Sequence, residues 1–228
     1  MEVAAAFLTT GAVPAVVGVL AGMLPWCAPV ALWAGLSLVL AGAAYAGLGS
    51  GVFGKRRDGR MAWWAIATML PFLAAAWGAW YVRRVLMGGR CCHPVAPGLW
   101  LGRRPVSASE VPAPVRTIVD MAAEFPERRD VIAGREYLSL PTLDNHPPPL
   151  AALRSLVDRL AGAEGDVYIH CAAGLGRSAI VAAAVMVRRG LARDAADAVA
   201  KLSAVRAGVR LNRRQFRLLH QVLGESDR

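Results

Sequence analysis

The stretch "VYIHCAAGLGRSAI", residues 167–180, decides the fold of this chain. An apolar run typical of a buried strand leads into "AAGLG", where no residue carries a bulky polar side chain. A second apolar run with helical periodicity follows. Strand, tight loop and helix in this order predict a βα unit of an α/β domain. The backbone N–H groups of such a loop can turn inward at the helix N-terminus and bind an anion.

Two side chains in this stretch add chemistry to the predicted anion site. Arg177 supplies a planar guanidinium that suits two phosphoryl oxygens. Cys171 lies at the mouth of the positive field, which favours the thiolate, the form of cysteine that acts as a nucleophile. The pattern therefore predicts an anion cradle built around a nucleophile.

Other interpretations of the stretch agree less well with its residues. A nucleotide-binding P-loop needs Lys before Ser, and "GLGRS" has Arg there. A dinucleotide fingerprint needs three spaced glycines, and only two occur. A small-residue turn with a buried structural cysteine would explain Cys171 alone. It would not explain His, Gly, Arg and Ser at these spacings.

The regions around this stretch predict an α/β domain over residues 91–228, with a central sheet flanked by helices. Four segments, including the strand of the opening stretch, read as strands by their apolar patterns and flanking turn residues. The predicted strands cover residues 98–102, 117–122, 137–141 and 166–171. Predicted helices, by periodicity and by their starting residues, cover 147–162, 176–190, 192–206 and 212–223.

Residues 1–90 have the composition of a membrane region. No Asp, Glu, Lys or Arg occurs from Val3 to Phe53. Three apolar runs, residues 3–24, 29–49 and 61–82, have about the ~20 residues that a bilayer-crossing helix needs. Tryptophans near both ends of the third run are typical of the two membrane interfaces. We predict three spans, with two as the alternative.

Charge and cysteine content limit the classes of partner. The net charge is +10, which favours anionic partners. A nucleic-acid surface is not expected, because the basic residues of the C-terminal part are not interleaved with aromatic ones. The four cysteines do not form a disulfide framework at this length. "CCH" at 91–93 has no second cluster of ligands, so no metal site is predicted there.

A resemblance to a known family follows from three motifs. "HCAAGLGRS", residues 170–178, resembles the His-Cys-x5-Arg-Ser signature of the protein-tyrosine-phosphatase superfamily. "VAPGLWLGRRP" (95–105) and "LPTLDNHPP" (140–148) resemble the dual-specificity phosphatase branch. The resemblance covers about residues 93–223 and implies transfer of a phosphoryl group to a cysteine, followed by hydrolysis of the phosphocysteine.

The resemblance also implies a role for each matching residue, and it implies no metal and no organic cofactor. Cys171 matches the nucleophile, and Ser178 the hydroxyl that assists departure of the thiolate. His170 matches the residue that supports the loop and helps to keep the thiol ionised. The phosphate-binding loop comprises Ala172, Ala173, Gly174, Leu175, Gly176 and Arg177.

A general acid must come from elsewhere in the chain, because the leaving oxygen needs a proton. Asp144 follows a predicted strand on a proline-bordered loop, 27 residues before Cys171. It matches the acid loop of the family, whereas Asp120, the rival, resembles a strand-end residue. His146 is expected to cap this loop or to tune the acid. Asn212 and Gln215 resemble late polar residues of the family that position water.

The expected activity is hydrolysis of phosphomonoesters by a membrane-anchored enzyme of the protein-tyrosine or dual-specificity type. The alternatives are a phosphatase of phospholipid headgroups and a pseudophosphatase that binds phosphorylated partners without turnover. A reactive thiolate is best preserved in a reducing compartment. We therefore expect the catalytic domain of this multi-pass membrane protein on the cytoplasmic face. Phosphorylated proteins or phospholipids and the lipid bilayer are the expected partners.

Overall fold

The structure is a computed structural model and describes residues 27–225. These residues fall into two compact units. The first contains residues 27–56, 60–88 and 123–126, and the second contains residues 57–59, 89–122 and 127–225. The predicted membrane span at residues 3–24 lies outside the described residues.

The first unit is built on two helices, α1 (Ala28–Ala43) and α2 (Trp63–Met87). A π-helical turn, Ala44–Leu48, and a 3-10 turn, Ser50–Phe53, follow α1. Two helical stretches, Ala28–Leu48 and Trp63–Leu86, are long and apolar enough to cross a membrane by length and composition. The described part of the chain therefore holds two candidate spans, where the sequence analysis predicted three for the whole region.

Pro71 lies inside α2, and α1 compensates for the backbone bonds that this proline disrupts. Proline has no N–H to donate to the carbonyl four residues before it. That carbonyl, of Ala67, accepts instead from the indole Nε1 of Trp33 at 2.9 Å. The N–H of Phe72 donates to the buried Ser37 Oγ at 3.0 Å. Neighbouring side chains that satisfy such groups are what allows proline in an apolar helix.

The aromatic residues of α2 differ in their surroundings. Trp63 and Trp64 at its start are exposed, as predicted for an interface. Near the other end, the Trp77 indole donates to the Glu124 carbonyl at 2.8 Å, and the Trp80 ring packs on Phe125. Trp77 and Trp80, which were predicted to lie in an interfacial aromatic belt, thus also make contacts with protein.

The second unit is an α/β domain with a mixed five-stranded sheet. The strands are β1 (Cys92–Ala96), β2 (Leu99–Arg103), β3 (Val115–Ala122), β4 (Glu136–Thr142) and β5 (Asp166–Cys171). Their spatial order is β1-β2-β5-β3-β4, and only the β1–β2 pair is antiparallel. β5 is therefore central, and its carboxyl end opens at the edge of the sheet where parallel α/β sheets bind ligands.

Helices cover one face of this sheet. They are α4 (Leu150–Ala161), α5 (Arg177–Arg188), α6 (Ala195–Val205) and α7 (Arg213–Leu223); a single turn, α3 (Arg129–Ile132), precedes β4. Period-two alternation along β5 sends Val167, Ile169 and Cys171 into the core beneath these helices. Tyr168 belongs to a smaller apolar cluster on the opposite face.

The predicted helices and strands of the second unit are confirmed to within a few residues, with β5 matching the predicted bounds. The sequence analysis missed β1, which contains part of "CCH" and Pro94. Pro94 is tolerated because β1 is an edge strand and pairs only with β2. The α/β fold with helices flanking a central sheet is likewise confirmed.

Candidate active site

Cys171 ends β5, and the loop of residues 172–176 carries the chain into α5. The thiol is 2% exposed. Its Sγ accepts a hydrogen bond from the Gly174 N–H at 3.2 Å and lies 3.3 Å from Ser178 Oγ on the first turn of α5. Two hydrogen-bonding groups thus converge on one sulfur, an arrangement that stabilises a thiolate better than a neutral thiol.

The carbonyl groups of the loop are bonded on its outer side. The acceptors are the carbonyls of Ala172, Ala173, Gly174 and Leu175. Arg206 donates to two of them from its guanidinium, at 2.8 and 3.0 Å, and the backbone N–H groups of Arg104 and Arg210 donate to the other two. With these carbonyls bonded on the outer side, the Gly174 N–H points inward at the sulfur, an arrangement found in backbone nests that bind anions.

Gly174 must be glycine for two independent reasons. Its φ is +74°, in the left-handed region that other residues rarely adopt. A Cβ at this position would also lie 2.2 Å from the backbone of Gly102 in β2. The loop therefore packs directly on β2, where the backbones of Gly174 and Gly102 are in close contact.

Arg177 begins α5 and is buried, with its guanidinium directed to the end of β4. Its Nη1 donates to the Thr142 carbonyl at 2.9 Å. Its Nε lies 3.2 Å from Asp144 Oδ1, whose side chain remains 60% exposed. The structure therefore brings together the predicted phosphate-binding arginine and the predicted general acid.

The loop that carries Asp144 is attached to the start of α7. Asn145 has φ +58°, and its carbonyl accepts from Asn212 Nδ2 at 2.9 Å. Asn212 also caps α7, because its Oδ1 accepts from the Gln215 N–H at 3.0 Å. The His146 ring lies 3.2 Å from the backbone carbonyl of Asp144, a contact that fits the loop-capping alternative.

Gln215 links α7 to the phosphate-binding loop. Its side chain is buried, and its Oε1 accepts from the Asn212 N–H at 3.2 Å. A Cβ on Gly176 would lie 3.5 Å from both amide atoms of Gln215. The amide thus lies beside the loop, where the sequence analysis had expected a water-positioning residue.

His170 faces the other side of the sheet from Cys171, in a cluster with two carboxylates. Its Nε2 lies 3.2 Å from Glu127 Oε2, and its Nδ1 lies 3.9 Å from Asp120 Oδ1. All three side chains are buried. Asp120, the rival candidate for the general acid, therefore lies on the opposite face of the sheet from Cys171.

Asp120, Glu127 and His170 are also residue types that ligate metal ions, and their polar atoms lie within 4.8 Å of one another. A histidine offers a metal ion only one ring nitrogen, however, and here the nearest carboxylates face different nitrogens. The geometry therefore fits protons on the ring better than a shared cation.

Cys91 and Cys92 are buried beside the edge of the sheet. Cys91 Sγ lies 3.4 Å from both the Tyr168 hydroxyl and the Arg103 carbonyl. Burial raises the pKa of the Cys91 thiol to about 12, and burial likewise raises that of Cys92. Both are neutral thiols at physiological pH, and His93 beside them contacts Arg206 at 3.0 Å.

Two residues of this neighbourhood were missed by the sequence analysis, Arg206 and Glu127. Arg206 follows a helix in "AVRAG", and Glu127 lies in a run of polar residues after β3. Neither position carries a spacing signal relative to Cys171. Only the folded chain brings them to the loop and to His170.

Comparison with known proteins now identifies the family. The family model described as "PTP-SAK: Swiss Army Knife protein, DSP-PTPase phosphatase domain" matches residues 99–221, more than half of the chain. The chain belongs to this phosphatase family. It is accordingly a cysteine-type phosphatase, a phosphoric monoester hydrolase. No curated protein matches the full sequence.

Solved structures share the fold of the DSP-PTPase domain. The mouse putative dual specificity phosphatase complexed with zinc tungstate aligns with a TM-score of 0.52 at 21% identity, covering 59% of this chain and 87% of its own. Tk-PTP in the active form aligns at 0.52 and 24%, covering 60% and 98%. PTPMT1 in complex with PI(5)P aligns at 0.50 and 23%, covering 58% and 94%.

Proposed function

We propose that this chain is a membrane-anchored phosphatase that hydrolyses phosphomonoesters through a phosphocysteine intermediate on Cys171. The observation that carries the proposal is the loop itself. Its carbonyls are bonded outward by three arginine residues, and its Gly174 N–H points at the sulfur. A buried sulfur that accepts from a loop N–H, with a buried arginine at the start of the following helix, suits the charge of a phosphoryl group.

In the first step the Cys171 thiolate attacks phosphorus. The S–P bond forms, the P–O bond to the leaving group breaks, and Asp144 gives its proton to the departing oxygen. Before substrate binds, Asp144 is paired with Arg177. A phosphoryl dianion replaces the carboxylate as the partner of the guanidinium, which leaves Asp144 able to carry a proton.

In the second step water attacks the phosphocysteine. Asp144, now a carboxylate, takes a proton from the water as its oxygen bonds to phosphorus, and the S–P bond breaks. Ser178, 3.3 Å from Sγ, donates a hydrogen bond to the departing thiolate, and inorganic phosphate is released. We assign the orientation of this water to Gln215, and the support is the position of its amide beside Gly176.

The decisive experiment replaces the nucleophile. Cys171→Ser in the full chain should abolish hydrolysis of p-nitrophenyl phosphate, while phosphate or tungstate still binds, because the loop N–H groups are unchanged. Cys92→Ser is the matched control, since it alters a buried neutral thiol outside the loop. Hydrolysis at the wild-type rate by Cys171→Ser would contradict the mechanism.

For the substrate, we propose phosphorylated protein side chains, as expected of a protein-tyrosine or dual-specificity enzyme. Ala172, Ala173 and Leu175 add no charge to the loop. A single phosphomonoester is therefore a better fit than a headgroup carrying several phosphates. Purified protein should hydrolyse phosphotyrosyl peptide faster than phosphatidylglycerophosphate or a phosphoinositide in mixed micelles.

A phospholipid headgroup is the second candidate substrate, favoured by the two apolar helices of the first unit. A phosphatase anchored in a bilayer meets lipid at a high local concentration. Faster turnover of the lipid substrate in the same assay would establish this alternative.

We also propose that the helices anchor the chain in a membrane as a multi-pass protein with the phosphatase domain in the cytoplasm. The apolar side chains exposed on both helices support insertion. The full chain should resist carbonate extraction from membranes. Labelling of Cys171 by a membrane-impermeant thiol reagent in intact cells should be negligible, and efficient labelling would place the domain outside.

A pseudophosphatase is the least favoured alternative. Binding of a phosphorylated partner requires neither a nucleophile nor an acid, yet the chain supplies Cys171, Ser178 and Asp144 together around one site. Measurable turnover of any phosphomonoester that disappears in Cys171→Ser would exclude it.

A further inference from the structure

The cluster of His170, Asp120 and Glu127 is not used in the steps above. All three side chains are almost completely buried. Neither ring nitrogen of His170 makes a hydrogen bond of good geometry, yet each faces a carboxylate oxygen, at 3.2 Å for Glu127 and 3.9 Å for Asp120. Buried polar atoms held at such distances call for a physical account.

The other contacts of the two carboxylates fit ionised oxygens. Asp120 accepts from the Ala122 N–H and from the Tyr137 hydroxyl, each at 2.8 Å. Glu127 accepts from the Arg128 N–H at 2.8 Å. An ionised carboxylate is an acceptor only, so every one of these bonds agrees with that state. Two buried negative charges need a positive partner.

The neutral and protonated forms of the His170 ring differ in the donors that they offer to these two carboxylates. A neutral imidazole carries one unprotonated nitrogen, which would face a carboxylate oxygen, acceptor against acceptor. An imidazolium has an N–H on both sides and can donate toward both carboxylates. Of the two forms of the ring, only the imidazolium offers a donor to each of the two carboxylates.

We propose that Glu127 and Asp120 hold His170 as an imidazolium and thereby act as positioning residues for the Cys171 thiolate. The proposal rests on the function proposed above. His170 directly precedes Cys171 in β5, so the held cation lies behind the nucleophile, on the opposite face of the sheet. A fixed positive charge in a buried, water-poor setting acts strongly on a neighbouring thiolate.

Two tyrosines and a glycine complete the surroundings of His170. The Tyr168 ring packs against the His170 ring with their centroids 5.4 Å apart, and the Tyr137 hydroxyl donates to Asp120. Burial raises the pKa of both tyrosines, so neither becomes charged near neutral pH. Gly59 closes the cluster: its carbonyl accepts from the Glu127 N–H at 2.7 Å, and a Cβ there would lie 2.8 Å from that of Glu127.

The first test measures the protonation state of the His170 ring. In the full chain purified in detergent with ¹⁵N-labelled histidine, long-range ¹H–¹⁵N spectra at pH 7 should show two protonated ring nitrogens for His170. Comparison with His170→Asn assigns the signal among the four histidines of the chain. In Glu127→Gln the signal should move toward a neutral tautomer. A neutral tautomer in the wild-type protein would overturn the proposal.

The second test measures the alkylation rate of Cys171, and its outcome is whether Glu127→Gln slows or speeds that rate. Loss of the Glu127 charge by itself would favour the thiolate, by Coulomb's law, and would speed alkylation of Cys171. If Glu127 instead keeps His170 protonated, the loss of the Glu127 charge also removes the positive charge of His170, the residue adjacent to Cys171. Alkylation by iodoacetamide at pH 6, followed by peptide mass spectrometry, should then be about three- to tenfold slower in Glu127→Gln. An unchanged or faster rate contradicts the proposal.

The controls separate this role from a structural one. Glu164→Gln removes the same charge from an exposed loop and should leave the alkylation rate unchanged. In the His170→Asn background, Glu127→Gln should no longer slow alkylation, whereas a slowing of undiminished size would show that Glu127 acts by another route. Near-UV circular dichroism and the Tm confirm that each variant is folded.

Neither measurement needs a substrate. A failure of the proposed hydrolysis would leave both readouts intact, and a failure of the histidine proposal would leave hydrolysis by Cys171 intact.

Discussion

The phosphate-binding loop and the loop of Asp144 meet at Arg177 but are held in different ways. The first is bonded at four consecutive carbonyls and rests on β2 through Gly174. The second is held by one hydrogen bond from Asn212 and one ion pair, and its carboxylate is largely exposed. In the proposed mechanism, binding of the phosphoryl group thus relies on preorganised backbone, whereas proton transfer relies on a carboxylate that must change partners.

This contrast predicts that changes at the phosphate-binding loop are more damaging than changes at the acid loop. Arg177→Lys should lower kcat/KM for p-nitrophenyl phosphate by about 10³-fold or more, because an ammonium cannot reproduce the planar fork. Arg188→Lys at the end of the same helix, α5, is the matched control and should be near wild type. A loss of less than tenfold in Arg177→Lys would contradict a bidentate role.

The next effect concerns the acid. Asp144→Asn should lower kcat by about 10²-fold for alkyl or phenyl phosphates, whose leaving oxygens need a proton. The loss should be much smaller for p-nitrophenyl phosphate. Asp158→Asn, an exposed charge in α4, serves as the control. Equal losses with good and poor leaving groups would argue against proton donation by Asp144.

A smaller effect is expected from the outer support of the phosphate-binding loop. Arg206→Ala removes both guanidinium bonds to loop carbonyls and should raise KM and lower kcat, together by about ten- to hundredfold in kcat/KM. Arg210→Ala is the sharpest control, because Arg210 reaches the loop only through its backbone N–H. Equal losses in the two variants would mean that bulk positive charge matters, and not the bonds to the carbonyls.

The smallest effect separates two roles of Asn212. Asn212→Asp keeps the acceptor that caps α7 but loses the Nδ2 donor to the Asn145 carbonyl. It should leave Tm nearly unchanged and lower kcat by about three- to tenfold, mainly for poor leaving groups, through loss of one hydrogen bond of ~1 kcal/mol. Asn212→Ala should lower Tm as well. No change in leaving-group dependence would show that Asn212 only caps the helix.

Most helices and strands of the second unit follow from short-range patterns. The bounds of β5 and the start of α5 depend on local periodicity and on a turn of small residues, and these are read directly from the sequence. β1 escaped prediction because Pro94 and "CCH" do not resemble a strand. Its extended form depends on pairing with β2.

The predicted site residues are brought together, and their catalytic roles remain predictions. Cys171, Ser178 and Arg177 are close by sequence, so one βα unit places them. Asp144 is distant from Arg177 in sequence. It reaches Arg177 because β4, β3 and β5 run parallel in one sheet, so that the segments after β4 and β5 lie at the same edge. The first predicted membrane span, residues 3–24, lies outside the described residues.

The sequence by itself determined the nucleophile loop, the helix that follows it, and the apolar character of the N-terminal region. These features depend on backbone sterics, on helix N-termini and on local composition. Only the tertiary structure decided which residues support the loop from outside and which surround His170. Arg206 and Glu127 are far in sequence from the residues that they contact, and packing of the chain brings them together. No local sequence pattern indicates contacts between such distant segments.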